Sequence, residues 1–279
     1  MKTSTRLALF GLMIGAIGTI LSLMIYGSGI VEAIMGDYKK VNHRHEFNVE
    51  SVDEININAA GAEVYIKPIE GNVIKVDFDA KIYDVTNIEE QYDIIEKDNQ
   101  LNIELKMKKR FTLINFANDI QLTIYLPKKR FEKINIDSSA SVLKVDSIFT
   151  NEMFIKSNAG FMEISEIDTN DFRLDVNAGS IELNHVQGNI DADINAGKIE
   201  ATFNQIEHDV RMNVDAGIVD IVLKEEPTNL AVSVHVDGGK SKVDLPLPMK
   251  NSKMRGVIGN GDYMLNIKVD AGSFNLSVD

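Results

Sequence analysis

The sequence predicts an all-β chain: a β-solenoid, like a parallel β-helix, with coils of about 20 residues, joined to an N-terminal transmembrane helix. Three observations carry this reading. First, a short phrase recurs. It reads Ser139-Ala140-Ser141, Asn158-Ala159-Gly160, Asn177-Ala178-Gly179, Asn195-Ala196-Gly197, Asp215-Ala216-Gly217, Asp237-Gly238-Gly239 and Asp270-Ala271-Gly272, and its third residues are spaced 19, 19, 18, 20, 22 and 33 apart. A near-fixed period of this size marks units that bury their apolar faces only by stacking on neighbours. Second, the columns at five and three residues before each third residue, and at two and four after it, are apolar in 25 of 28 cells, the exceptions being Ser138, Ser157 and Ser241. Residues two apart on a strand share a face, so each coil supplies two inward-facing strands on either side of a tight corner. Third, residues 7–31 form an uncharged apolar run of 25, longer than the roughly 20 needed to cross a hydrocarbon core. Alternation alone also permits an antiparallel β-sandwich, which stays open as the second fold.

Taken in order, residues 1–6 form a short basic N-terminus with Lys2 and Arg6, which argues for a cytoplasmic start. The run 7–31 exceeds the usual length of a cleaved signal h-region, although Val31-Glu32-Ala33 offers small residues to a peptidase. The expectation is an uncleaved single-pass anchor in the cell membrane, with the lipid bilayer as its partner and the C-terminal domain extracytoplasmic. Lys39, Lys40 and Arg44 on the other flank weaken the charge argument for that orientation. Gly11, Gly15 and Gly18 could let two such helices approach closely. Residues 32–46 read as a polar linker, including the His43-Arg44-His45 pair, which would put two imidazoles on one face of an extended strand.

Residues 47–127 read as β-strands without the recurring phrase: 54–58, 63–68, 73–82, a hairpin of 91–96 with 101–107, and 120–126 closed by Pro127. Residues 128–279 are the repeat region. At its corners, Asn158 and Gly160, Asn177 and Gly179, Asn195 and Gly197, Asp215 and Gly217, then Gly239 and Gly272 are structural residues. Asn, Asp and Gly tolerate positive φ, and the Asn and Asp side chains can ladder hydrogen bonds from coil to coil. A column of Asp215, Asp237 and Asp270 would be repulsive unless solvated, protonated or bridged, which makes these three Ca²⁺ candidates although no metal signature is present. The long spacing between the last two corners holds Pro246, Pro248 and the basic residues Lys250, Lys253 and Arg255, read as a contact loop.

Composition narrows the function. Net charge is −13, and beyond Arg6 the chain has 27 basic against 42 acidic residues, which disfavours nucleic acid. The absence of cysteine excludes disulfides, thiolate metal sites and cysteine nucleophiles. No phosphate loop, dinucleotide fingerprint, Gly-x-Ser-x-Gly or His-Glu-x-x-His occurs, so neither a cofactor nor an enzymatic activity is expected, with a polysaccharide-active β-helix enzyme as the remote alternative.

At Ile124-Tyr125-Leu126-Pro127-Lys128-Lys129, then Ile134-Asn135-Ile136-Asp137 and the corner phrases, the chain resembles a bacterial family of adhesin candidates or β-strand-repeat proteins that includes LiaG-like envelope-stress proteins. Gly259-Asn260-Gly261 leading to Phe274 matches its final repeat, and the resemblance covers roughly residues 50–279. It differs in using Asn-Ala-Gly where many relatives have Ser-Gly-Asp. The resemblance implies a membrane-anchored β-solenoid with no catalytic residues to carry over. The expected function is a non-enzymatic binding or scaffold module of the cell envelope, with a protein or cell-wall polymer as partner. The alternative is homotypic assembly through a bare solenoid end at Phe274, Leu276 and Val278.

Overall fold

The computed structural model describes residues 39–82, 92–105, 119–139, 141–245, 247 and 253–279. The proposed anchor at 7–31 lies outside them, and no described helix is long and apolar enough to cross a membrane. The described residues are almost wholly β-strand. The strands are β1 (Lys39–Asn48), β2 (Glu54–Ala60), β3 (Glu63–Ile69), β4 (Val73–Ile82), β5 (Tyr92–Lys97), β6 (Gln100–Leu105), β7 (Asp119–Pro127), β8 (Arg130–Ser139), β9 (Ser141–Phe203), β10 (Val210–Leu223), β11 (Leu230–Val243), β12 (Lys253–Ile258) and β13 (Tyr263–Val278).

Each corner splits a coil into a strand segment before it and one after it, so the stack has two walls. The wall after the corners runs β1-β4-β7-β3-β9-β10-β13-β11, and the wall before them runs β5-β6-β2-β8-β9-β10-β13-β11-β12. Pairing through the repeats is parallel, with corner opposite corner: Gly217 faces Gly197 on one side and Gly272 on the other. An antiparallel sandwich is therefore not how the repeats pack. Antiparallel pairs occur where the stack ends, in β1–β4–β7, β5–β6 and β11–β12. Between the walls sits one continuous apolar core. Of the column residues named above, all are buried except Ser241, which is half-exposed because it lies on β11 past the reach of β12. Each such Val, Ile, Leu or Phe contributes on the order of 1.5–3 kcal/mol, so the inward columns set the period of the sequence.

Four expectations need correction. The linker 32–46 is too long, because Lys39–Asn48 is a strand paired with β4 over its full length. His43 and His45 are accordingly not solvated. They are half-buried and face Tyr92, which stacks on Phe78 at a ring-centroid distance of 4.6 Å and hydrogen-bonds His43 Nδ1.

Second, residues 47–127 contain a hidden coil. Ala60 pairs with Ser139 and Val64 with Leu143, so Ala60-Gly61-Ala62 is the counterpart of Ser139-Ala140-Ser141, with Ile57, Ala59, Val64 and Ile66 as its buried columns. The 78 residues between Ala62 and Ser141 hold β3 to β8, which hid the period.

Third, Lys253–Ile258 is no excursion loop. It is an edge strand lying antiparallel on the first half of β11, while Lys250 lies outside the described residues.

Fourth, the coils do not stack in chain order. β13 enters between β10 and β11, so the C-terminal strand is covered on both sides and the bare end expected at Phe274 to Val278 does not exist. The spacings 22 and 33 reflect this: the chain skips a level to form β11, returns through β12 and fills the level left open.

The Leu-Pro-Lys-Lys segment gains a physical role. Pro127 closes β7, and Lys129 Nζ donates to the carbonyls of Val49 (3.1 Å) and Val52 (2.7 Å) and to Asp53 Oδ1 (2.8 Å), tying the short 3-10 turn Val49–Ser51 to the strand junction. That ammonium, with Asn99, holds the Asp53 carboxyl below its usual range.

Candidate functional site

The corners are built by close approach of backbones. An added Cβ at Gly179 would lie 2.5 Å from the Gly160 carbonyl oxygen, at Gly197 2.2 Å from that of Gly179, and at Gly217 2.1 Å from that of Gly197. The series continues to Gly272 against Gly217 and Gly239 against Gly272. Beside this spine runs the amide ladder: Asn195 donates to Asn177 (2.8 Å), Asn177 to Asn158 (2.8 Å), and Asn158 to the hydroxyl of Ser139 (2.7 Å). The corner residues therefore sit where the sequence places them, as one exposed structural edge.

The ladder changes chemistry at the next level, where Asp215, Asp270 and Asp237 follow in that spatial order. The structure places the three candidates on neighbouring levels, with the Lys268 ammonium and the His235 ring beside them. Lys268 Nζ lies 2.8 Å from Asp270 Oδ1, and its pKa is raised by the hydrogen bond and charge of Asp270, with further contributions from Asp237 and Asp215. His235 Nε2 lies 2.7 Å from Asp237 Oδ1. No cluster of three or more metal-ligating side chains occurs among the described residues. The Lys268 ammonium thus supplies positive charge to this acidic edge. Replacing Lys268 by Met should lower Tm at pH 7 by on the order of 3 °C, with recovery as pH falls toward the carboxylate range. Millimolar Ca²⁺ should leave the wild-type Tm unchanged; scanning calorimetry with and without the ion checks both.

Sequence reading missed a second turn in the coils. Ser147, Glu166 and His185, at intervals of 19, adopt φ of 57°, 54° and 54°, and His185 Nδ1 reaches Glu166 Oε1 of the preceding coil at 2.9 Å. The signal was a spacing shared by dissimilar residues, which a search for a repeated phrase overlooks.

A groove lies on the outer face of the wall before the corners. Asn102, Asn56 and Asn135 occupy equivalent outward positions on β6, β2 and β8, and Phe154 follows them on β9. Asn135 donates to Asn56 (2.7 Å) and Asn56 to Asn102 (3.0 Å), a second amide ladder. With Phe154, Lys156, Asp137 and Glu104 these residues line a cavity of about 440 Å³. Phe154 also lines an adjoining cavity of about 700 Å³ with Asp171, Arg173, Asp191 and Arg211. One groove thus follows the wall from polar amides, past a half-exposed aromatic ring, to alternating charges. Of the basic residues expected at a contact loop, Arg255 is exposed on β12 opposite Ser233, on the same outward row as the groove but three levels past Arg211 and outside the lining of either cavity.

A family model described as Toastrack DUF4097 matches residues 52–160 and 131–277. Among solved structures, an adhesin candidate from Parabacteroides distasonis is 14% identical, with 87% of this chain and 98% of that chain covered at a TM-score of 0.45. A second from Bacteroides fragilis is 12% identical, with 86% and 98% covered and a TM-score of 0.42. A cell adhesion protein candidate from Clostridium sporogenes is 14% identical, with 86% and 100% covered and a TM-score of 0.38. No curated protein matches the chain.

Proposed function

The chain belongs to the Toastrack DUF4097 family, and from that premise we propose that it is a non-enzymatic binding module of the bacterial cell envelope, held at the membrane by residues 7–31 with the β-domain outside. The observation that carries the reading is the groove along the outer wall. The columns fill the interior with apolar side chains, so contact with a partner falls to the outward faces, and of the two phenylalanines lining that groove Phe172 is buried while Phe154 is left half-exposed at the junction of its two cavities. The adhesin names of the compared structures agree with a binding role.

The apolar run leads into β1 at one end, and β11 with β12 forms the other, roughly 50 Å away at about 4.8 Å per level. Homotypic pairing loses its original support, because β13 is covered on both sides and the exposed β11–β12 end carries Lys240, Lys242 and Arg255, charges that discourage edge pairing.

The test has two parts. Protease added to intact cells should remove the β-domain while the chain stays with membranes on alkaline extraction, and the purified full chain in detergent should capture a polymer from envelope fractions without releasing cleavage products. Protection from protease, or no capture at micromolar protein, would overturn the reading.

A further inference from the structure

The three-amide ladder and Phe154 form a ligand site of identifiable chemistry. Within the ladder Asn135 uses one N–H, Asn102 one carbonyl lone pair and Asn56 one of each, and an amide has two donors and two acceptor positions. Asn102, Asn56 and Asn135 therefore present a row of donors and acceptors into the 440 Å³ cavity, repeating at the strand spacing of about 4.8 Å. Their planes are held by the ladder itself, so little side-chain entropy is lost when a ligand uses them. At the next level Phe154 supplies an apolar face.

Three features of the groove select the ligand. In the 440 Å³ cavity Glu104 and Asp137 stand against one lining cation, Lys156, and past Phe154 the carboxylates Asp171 and Asp191 alternate with Arg173 and Arg211, a balance that disfavours a phosphate or polyanion. The strands beneath it, β6, β2, β8 and β9, are each paired on both sides, so no free edge is present for an added peptide strand. The regular repeat demands a ligand that is itself periodic, neutral and rich in hydroxyl or amide groups. A β-1,4-linked pyranose chain advances by nearly one strand spacing of about 4.8 Å per sugar, offers ring hydroxyls or acetamides at its edges and an apolar C–H face to an aromatic ring.

We propose that this groove binds a linear, neutral β-1,4-linked glycan laid along the stack axis, one sugar per coil, with the amide ladder reading its polar edge and Phe154 stacking on one ring. This rests on the reading of the chain as an envelope binding module and names the ligand class.

The probes are the hexamer of β-1,4-linked N-acetylglucosamine and cellohexaose, titrated separately into the full chain in detergent by calorimetry. At least one should bind with a Kd on the order of 0.1 mM. Binding of the acetylated chain alone assigns recognition to the acetamides, and binding of both assigns it to the ring and hydroxyls; either supports the site. Phe154→Ala should weaken binding at least about tenfold and Asn102→Ala by several-fold. Phe161→Ala on the other wall should leave it unchanged. Thermal unfolding of each variant confirms that it is folded. Absence of binding by both hexamers at millimolar concentration, or an unchanged Kd in Phe154→Ala, overturns the proposal. If the wild type and Phe154→Ala capture envelope polymer equally, the module reading stands and this groove is not its site. If the wild type captures none, the module reading itself fails.

Discussion

Gly272→Ala should destabilise the protein by about 3–5 kcal/mol, more than a single methyl group costs at most positions. The reason is positional. Gly272 stands between Gly217 and Gly239 in the corner spine, and its added Cβ would lie 1.7 Å from the Gly217 carbonyl oxygen and 2.8 Å from its carbonyl carbon. Those atoms are backbone, held by parallel pairing on both sides, so relief requires separating two coils. The φ of 146° adds a conformational cost for a residue with a side chain. Gly71→Ala separates the two contributions: Gly71 has φ 108° but nothing within 4 Å of an added Cβ. That variant should cost only about 1 kcal/mol, from backbone conformation alone. Urea unfolding monitored by circular dichroism measures both. Equal effects would show that φ, and not coil-to-coil contact, is what the corner glycines satisfy.

The corner phrase was legible in the sequence because its cause is local and repeated. Every coil needs a small residue where the next backbone passes, and every coil needs apolar pairs around it. The amide ladder from Ser139 to Asn195 was legible for the same reason, since a column of identical side chains at strand spacing has few other uses. Stacking order was not. The sequence registers which residues turn a corner and face inward, but β13 satisfies its columns equally well at the end of the stack or between β10 and β11. The choice is made by the short β12, which reverses the chain, and by polar closures at the seam: Met264 N–H donates to Asp209 Oδ1 (2.9 Å), and Lys224 Nζ lies 2.5 Å from Asp279 Oδ2. The hidden coil at Ala60-Gly61-Ala62 escaped because Ala replaces Asn and Gly, and because long excursions interrupt the period. The groove escaped for a different reason. Asn102, Asn56 and Asn135 are 46 and 79 residues apart, on strands whose adjacency follows from that same hidden coil.

Ending the chain at Asp262 discriminates most sharply between a solenoid stacked in chain order and the observed one. In a sequential stack, deleting β13 would remove one terminal coil and leave the others with their neighbours. Here β13 is the contact partner of both β10 and β11, and it buries Leu265, Ile267, Val269, Phe274 and Leu276 at no more than 1% exposure. Those five side chains represent roughly 10 kcal/mol of burial, comparable to the whole stability of an ordinary domain. The strands β11 and β12 then have no parallel neighbour to stack on, while β1 to β9 keep theirs and β10 keeps β9. The truncated chain should therefore show native-like hydrogen-exchange protection through Phe203, partial protection of β10, which becomes an edge, and loss of protection over residues 230–258, although residues 230–258 are untouched by the deletion. A synthetic peptide of residues 263–279 added in trans should restore that protection, because the slot it fills is flanked on both sides by strands already present in the truncated chain. Retained protection of Leu230–Val243 in the truncated protein would mean that β11 docks directly on β10, and that the inserted order of the last three levels is not needed for the fold. Loss of protection throughout would mean that the coils behave as one cooperative unit rather than as a nearest-neighbour stack.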